Sequence, residues 1–342
     1  MIEHFWLGMA IIFLSGALNG SFALPMKYAR HWRWENTWLV FAIVALAVLP
    51  WLLAAGFVPH LGELYRHTPR QVLIYPLVFG FFWGIAQTTF GIGISAVGMA
   101  LAFAVVSGLA CLSGSLVPLL ALNPAELFQP RGILLLIGIP ILFLGLFFYG
   151  KAGHRREREQ PSRPSEQSGI RYSFAAGLGI CIFTGIVGSA WNLGFAFSGP
   201  LIRRSTELGA ASLTAPYAVW ALILGAGFIP NLLYCIYLLS RNGTWSLFGC
   251  AGWGKELWLS LAMALLWFPG IIGYGIGATF VGKYGTSIGF TLFIAAQILS
   301  ANTLGILSGE WKSTSTRTKR VLTAAVVFTL LSVMVLNLGG IF

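Results

Sequence analysis

The residues best suited to contact a ligand in this sequence are uncharged amides and tryptophans that interrupt long apolar segments. Amides both donate and accept hydrogen bonds, and an indole ring packs against the apolar face of a pyranose. A charged ligand would need a buried opposite charge, so this mixture favours a neutral, polyhydroxylated ligand. The predicted binding residues are Asn19, Trp83, Gln87, Trp191, Asn192, Trp267, Gln297 and Asn302.

A structural role is the alternative for each of these side chains. In membrane helices, Asn and Gln also hydrogen-bond to neighbouring helices, and single tryptophans mark the membrane interface. For Asn19, Trp83, Gln87 and Asn192 the two roles are evenly balanced, because these residues lie in mid-segment and in repeated segments.

The sequence contains no recognisable catalytic or metal-binding motif. All ten acidic residues are Glu, and none lies deep in an apolar segment. The five histidines lie outside these segments or at their ends, and the sequence has no G-x-S-x-G, H-E-x-x-H or phosphate-binding loop. The sequence therefore predicts neither an enzyme nor a metal or cofactor site.

The composition is that of an integral membrane protein. The chain is 57% hydrophobic and 9% charged, with a mean hydropathy of +0.81, whereas a soluble domain is about 25% charged. The net charge of +11 does not indicate nucleic-acid binding, because the basic residues lie in loops between apolar segments. The lipid bilayer is the expected environment.

The apolar segments predict an all-α protein. A helix needs roughly 20 apolar residues to cross a bilayer. The first segment lacks the basic start of a cleaved signal and is predicted to be a transmembrane helix. The ten predicted spans are residues 5–24, 37–58, 72–94, 99–122, 132–150, 172–197, 213–239, 257–280, 287–307 and 321–340.

A stretch in the first half of the chain returns in the second half. WGIAQTTFGIGISAVG (83–98) recurs as WFPGIIGYGIGATFVG (267–282), with six of 16 positions identical, Trp83/Trp267 among them. Residues 1–150 and 172–342 are therefore predicted to be two five-helix repeats, joined by a linker at 151–171. Because five is odd, the halves enter the membrane in opposite orientations. Such an inverted repeat permits alternating access to a site near the midplane.

Basic residues are distributed unevenly between the two sides of this arrangement. The loops after the odd-numbered spans hold 15 of the 21 Lys and Arg residues, and the other loops hold six. Cytoplasmic loops carry the excess of Lys and Arg. The linker is therefore predicted to be cytoplasmic and both termini periplasmic.

Two long stretches and one short motif are similar to a known family. They are GALNGSFALPMKYARHWRWENTWLVFAIVALAVLPW (16–51), FGFFWGIAQTTFGIGISAVGMA (79–100) and GEW (309–311). They resemble the bacterial L-rhamnose–proton symporter family, in the ten-helix branch of the drug/metabolite transporter superfamily. The resemblance implies proton-driven uptake of a deoxyhexose across the inner membrane. Gln87 and its two neighbours stand where the family is richer in Asn and Tyr.

Proton coupling requires a titratable group, and the candidates lie at the membrane edges. They are Glu35, Lys27 and Glu310. Glu35 is also explained as a loop acid paired with Lys27 or Arg33. The alternative function is a carrier of the same superfamily that exports another small metabolite or facilitates its diffusion.

The predicted topology can be tested with reporter fusions. A reporter that is active only in the cytoplasm should be inactive when it is fused after Phe342 and active when it is inserted into residues 151–171. Activity of the C-terminal fusion would overturn the predicted orientation.

Overall fold

The computed structural model describes residues 2–97, 99–159, 174–309 and 311–338, and every regular element in these ranges is helical. A π-helical segment, Ile43–Val48, joins the second α-helix to the third. The α-helices are α1 Ile2–Ser21, α2 Trp34–Ala42, α3 Leu49–Phe57, α4 Leu61–His67, α5 Arg70–Val97, α6 Met99–Leu122, α7 Pro130–Glu159, α8 Phe174–Gly188, α9 Ala190–Phe197, α10 Gly199–Glu207, α11 Tyr217–Asn242, α12 Trp253–Val281, α13 Ile288–Leu307 and α14 Thr316–Asn337.

Within the described ranges, ten helical stretches are long and apolar enough to cross a membrane. The all-α fold and the number of spans are thereby confirmed. Two spans are interrupted: the second consists of α2, the π-helical segment and α3, and the sixth consists of α8, α9 and α10. Pro50 and Pro200 each lie near the start of a new helix, α3 and α10, where their missing N–H group does no harm.

The predicted linker is partly helical. Helix α7 continues to Glu159, nine residues past the expected end of the fifth span, while residues 160–171 lie outside the described ranges. The Glu159 carboxylate accepts hydrogen bonds from the backbone N–H of Ser315 (2.6 Å) and the hydroxyl of Thr318 (2.7 Å) at the start of α14. The Ser315 hydroxyl also donates to this carboxylate and contributes most. Together the three hydrogen bonds hold the pKa of Glu159 below its ordinary value. The prediction missed this extension because its residues are charged.

The helices pack in pairs that connect the two halves of the chain. Helix α1 packs against α12 and α13, α5 packs against α8 and α11, and α7 packs against α14. The first and eighth spans are thus paired, as are the third and sixth. If spans six to ten repeat spans one to five, the pair of spans one and eight corresponds to the pair of spans six and three, as observed. The inverted orientation of the halves stays a prediction.

Loops from alternate connections meet at opposite ends of the bundle. At one end, the Lys27 ammonium donates to the Ser308 hydroxyl (3.4 Å); we call this the basic-loop end, because its connections carry most of the Lys and Arg residues. At the opposite end, Lys283 donates to Glu126 (2.6 Å), as does Tyr284. Hydrogen bonds from Lys283 and Tyr284 hold the pKa of Glu126 below its ordinary value.

Helices α5 and α11 approach each other at backbone distance. A Cβ atom on Gly80 would lie 2.2 Å from the carbonyl oxygen of Ile223, and one on Gly84 would lie 2.3 Å from that of Gly227. Contacts this short exclude any side chain, as at other small-residue helix interfaces in membranes. The glycines therefore fix the spacing of the two helices.

The substitution Gly84→Ala should separate α5 from α11 and lower the free energy of unfolding by about 1–3 kcal/mol. Gly179→Ala in α8 is the matched control, because a Cβ atom there meets no described atom within 4 Å. The control should be neutral or stabilising by up to about 1 kcal/mol. Unfolding in detergent would compare the two, and equal stabilities would contradict the packing argument.

Candidate functional site

A small cavity lies in the membrane region where α2, α5, α11 and α12 converge. Its volume is about 10 Å³, roughly the room that one water molecule needs. It is therefore almost closed in this conformation. The lining residues are Phe22, Trp38, Phe41, Leu46, Trp83, Gln87, Asn231 and Trp267.

Two stacked indole rings form one wall of this cavity. Trp83 and Trp267 lie with their ring centroids 5.9 Å apart and their planes 18° apart, and Phe41 meets Trp267 edge-on at 5.8 Å. Gly227 leaves the space for this wall, because a Cβ atom there would lie 2.7 Å from the Trp83 ring. The two tryptophans that match in the sequence repeat are thus in direct contact.

Amide groups supply the polar part of the cavity. The indole N–H of Trp38 donates to Oδ1 of Asn231 (2.9 Å), and Nδ2 of Asn231 donates to the carbonyl of Gly227 (2.9 Å). A second acceptor for Nδ2, the carbonyl of Gly84, is 3.5 Å away. Gln87 is half-buried and lines the same space. Aromatic faces beside amides can bind a small uncharged molecule that has hydroxyl groups and an apolar face.

Asn192 and Trp191, which were predicted to bind a ligand, lie in a different cluster. Nδ2 of Asn192 donates to the carbonyls of Gly114 (2.8 Å) and Thr286 (2.9 Å), and its Oδ1 accepts from the Tyr274 hydroxyl. Trp191 meets the Tyr274 ring edge-on at 5.1 Å. Because Asn192 is fully buried and its amide is occupied by protein groups, this geometry favours a structural role.

The other predicted amides also lie away from the cavity lining. Asn19 is buried at the contact of α1 with Gly270 of α12, and its Nδ2 has no hydrogen-bond partner among the described residues. Gln297 is half-buried on α13. Asn302 donates to the Ile298 carbonyl of its own helix (2.9 Å). The structure therefore brings together Trp83, Gln87 and Trp267 from the predicted set.

The predicted proton-coupling residues lie near the basic-loop end. Glu35 is buried and accepts hydrogen bonds from the Asn242 amide (3.0 Å) and the Thr244 hydroxyl (2.9 Å). Lys27 is exposed. Glu310 lies outside the described residues.

Sequence reasoning left three notable residues out of the predicted site. Trp38 and Asn231 line the cavity, and Glu256 is a buried acid at the start of α12. Asn231 is an amide in the middle of a predicted span, and this position could have identified it as a candidate binding residue. Trp38 lies in a tryptophan-rich run near a predicted helix start, and Glu256 follows Lys255 at a predicted helix edge, so both resembled interface residues.

Ten membrane-crossing stretches around a small cavity of aromatic and amide groups are typical of a carrier for small solutes. Comparison with known proteins specifies the family. Residues 1–341 match the family described as L-rhamnose-proton symport protein (RhaT), and the chain belongs to this family. It is a multi-pass inner-membrane transporter and not an enzyme.

Individual relatives match the chain over almost its entire length. The chain is 25% identical to the L-rhamnose-proton symporter of Cronobacter sakazakii over 334 residues, which cover 95% of both chains. It is also 25% identical to the symporters of the same name from Pectobacterium atrosepticum, over 340 residues, and Mannheimia succiniciproducens, over 341 residues. Each of these two matches covers 97% of both chains.

The structural role of Asn192 predicts a stability defect. Asn192→Ala leaves the Tyr274 hydroxyl and two carbonyls without their partner, which should lower the free energy of unfolding by about 1–3 kcal/mol. Asn302→Ala is the control and should cost less than about 1 kcal/mol, because the partner of its amide in the described part of the chain is a carbonyl of its own helix. Denaturation by a graded series of SDS concentrations would measure both. An Asn192→Ala protein as stable as the wild type would refute the structural role.

Proposed function

We propose that this protein takes up L-rhamnose together with protons across the bacterial inner membrane by alternating access. The match to the symporter family over residues 1–341 carries the proposal. Relatives that cover at least 95% of the chain are named L-rhamnose-proton symporters. Protons are the proposed coupling ion, and no further cofactor is invoked.

The cavity described above is the proposed sugar site. A 6-deoxyhexose is uncharged, with hydroxyl groups on its ring and a methyl group in place of the hydroxymethyl group of a hexose. Its apolar face would pack on the Trp83–Trp267 wall, and its hydroxyls would bond to the amides of Gln87 and Asn231. Because the cavity has room for about one water, the sugar enters only after Trp83 and Trp267 move apart.

The two halves of the chain are the proposed moving parts. Trp83 belongs to the five-helix repeat in residues 1–150, and Trp267 belongs to the repeat in residues 172–342. Relative motion of two inverted repeats would expose the site first to one side of the membrane and then to the other. In this arrangement the linker at 151–171 is cytoplasmic and both termini are periplasmic.

One observation favours the alternative of an uncoupled carrier. The described residues that line the cavity are Phe, Trp, Leu, Gln and Asn, and none of these side chains titrates in the physiological range. We therefore propose that a proton that travels with the sugar binds to other residues.

Uptake into proteoliposomes tests the function directly. With the lumen more alkaline than the medium, labelled L-rhamnose should accumulate above its external concentration, and a protonophore should abolish the accumulation. Equilibration without accumulation would support the uncoupled carrier. Absence of any L-rhamnose transport would refute the proposal.

Substitutions in the cavity test the site. Gln87→Ala removes a hydrogen bond worth about 0.5–1.5 kcal/mol and should weaken the apparent affinity for L-rhamnose roughly threefold to tenfold. Trp83→Ala should weaken it more, because the stacking surface is lost as well. Thr88→Ala is the control and should leave the affinity unchanged, because its hydroxyl bonds to the Ile85 carbonyl of the same helix (2.8 Å). Unchanged affinity in Gln87→Ala and Trp83→Ala would place the sugar elsewhere.

A further inference from the structure

Two segments from different halves of the chain meet at the basic-loop end of the bundle, between the cavity and that surface. Residues 30–36 dock on residues 242–256, and we call this contact the latch. The Trp32 indole donates to the Leu247 carbonyl (2.9 Å), and the Asn36 amide donates to the Thr244 carbonyl (3.0 Å). The Trp32 ring also meets Phe248 at 5.2 Å. The latch thus joins the two halves that alternating access must separate.

Two buried carboxyl groups complete the latch, one from each segment. Glu35 binds Asn242 and Thr244 as described above. Oε1 of Glu256 accepts hydrogen bonds from the backbone N–H groups of Arg30 (3.0 Å) and His31 (3.2 Å). Such bonds are stronger to a carboxylate than to a neutral acid, so the latch is tightest when the carboxyl groups are ionised.

The second oxygen of Glu256 is buried without a partner in the described part of the chain. The side chain is 1% exposed, and Oε2 is buried with no hydrogen-bond partner among the described residues. A charge on a buried oxygen without a partner is unfavourable, whereas a proton on Oε2 would neutralise it. The same carboxyl group therefore has one oxygen that is hydrogen-bonded across the latch and one that is buried without a partner among the described residues.

At the opposite end of the bundle, the halves meet through the Lys283–Glu126 ion pair described above and through neutral groups. There the Tyr65 hydroxyl donates to the Ala218 carbonyl (2.8 Å), and the Thr214 hydroxyl donates to the Phe57 carbonyl (3.4 Å). The nearby acid, Glu63, has a side chain that is 53% exposed and lies 3.7 Å from His60. Glu126 is half-buried, so among the described residues the fully buried carboxyl groups of these contacts are those of the latch.

The latch is connected to the cavity through α2 and α12. Glu35 and Trp38 lie one turn apart on α2, where Trp38 stacks on Trp34 at 5.0 Å and donates to Asn231 in the cavity. Glu256 and Trp267 lie on the same helix, α12. Opening of the latch would therefore shift the helices that carry the cavity residues.

We propose that Glu256 is the group that carries the transported proton. A proton that enters with the sugar from the side opposite the basic-loop end binds Oε2 while the latch is closed, weakens the bonds from Arg30 and His31, and leaves to the basic-loop side once the latch has opened. This inference rests on the proposed proton-coupled uptake.

Several other charged or titratable groups lie in and around the latch. They are Glu35 from α2, Lys27, Arg30, His31 and Arg33 from the α1–α2 connection, Arg241 from α11, Cys250 from the α11–α12 connection and Lys255 from α12.

The substitution Glu256→Gln separates proton coupling from sugar transport. The glutamine cannot release a proton, yet it keeps an oxygen that accepts from Arg30 and His31. In proteoliposomes, exchange of labelled for unlabelled L-rhamnose should persist and become independent of pH. Accumulation driven by a proton gradient should fall to an internal-to-external ratio of about one. Glu63→Gln, at the opposite end, should accumulate L-rhamnose as the wild type does.

Two results would overturn the proposal. One is accumulation by Glu256→Gln equal to that of the wild type. The other is loss of exchange together with accumulation in a folded Glu256→Gln protein, which would mean that the residue is structural. Accumulation by the wild type is measured in the same assay, so failure of the proposed function is distinguishable from failure of this inference.

Hydrogen exchange in the wild-type protein tests the latch without any variant. After correction for the intrinsic pH dependence of exchange, the amides of Arg30 and His31 should lose protection as the pH is lowered through the range that supports uptake. Protection in α4, Leu61–His67, should not change in parallel. Constant protection of Arg30 and His31 across that range would contradict the proposal.

Discussion

The cost of leaving a polar group without a hydrogen-bond partner inside an apolar membrane region governs much of this structure. A buried amide in lipid is stabilised by binding either to the protein or to a ligand. Asn192 shows the first outcome, because Gly114, Thr286 and Tyr274 together occupy its donors and its acceptor. Gln87 instead faces the cavity beside stacked indole rings, where we propose that it binds the sugar. The same residue types thus form helix contacts in one place and line the proposed binding site in another.

The ionisable groups follow from the same constraint. Charge near the bilayer midplane is costly, and the described residues that line the cavity carry aromatic, aliphatic and amide side chains. Buried carboxyl groups are found instead at the basic-loop end, where Glu35 and Glu256 bind groups from the opposite segment of the latch. Sugar recognition and proton binding are therefore assigned to separate places that share α2 and α12.

The sequence was sufficient for the class of fold and for part of the site. Hydropathy predicted the ten spans, and the repeat singled out Trp83 and Trp267, which stack on each other. It was not sufficient for Trp38 and Asn231, because their hydrogen bond joins residues 193 positions apart and depends on how α2 packs against α11. Glu256 was missed for a related reason. Its burial results from the docking of residues 30–36, which local sequence does not reveal.

The central claim is that the sugar binds between the two halves, on the Trp83–Trp267 wall. The most direct measurement is an experimental structure of the protein with L-rhamnose bound. The account predicts a separated Trp83–Trp267 pair, with the sugar against an indole face and its hydroxyls bonded to Gln87 or Asn231. A sugar bound instead among Trp191, Asn192 and Tyr274, with Trp83 and Trp267 still stacked, would contradict it.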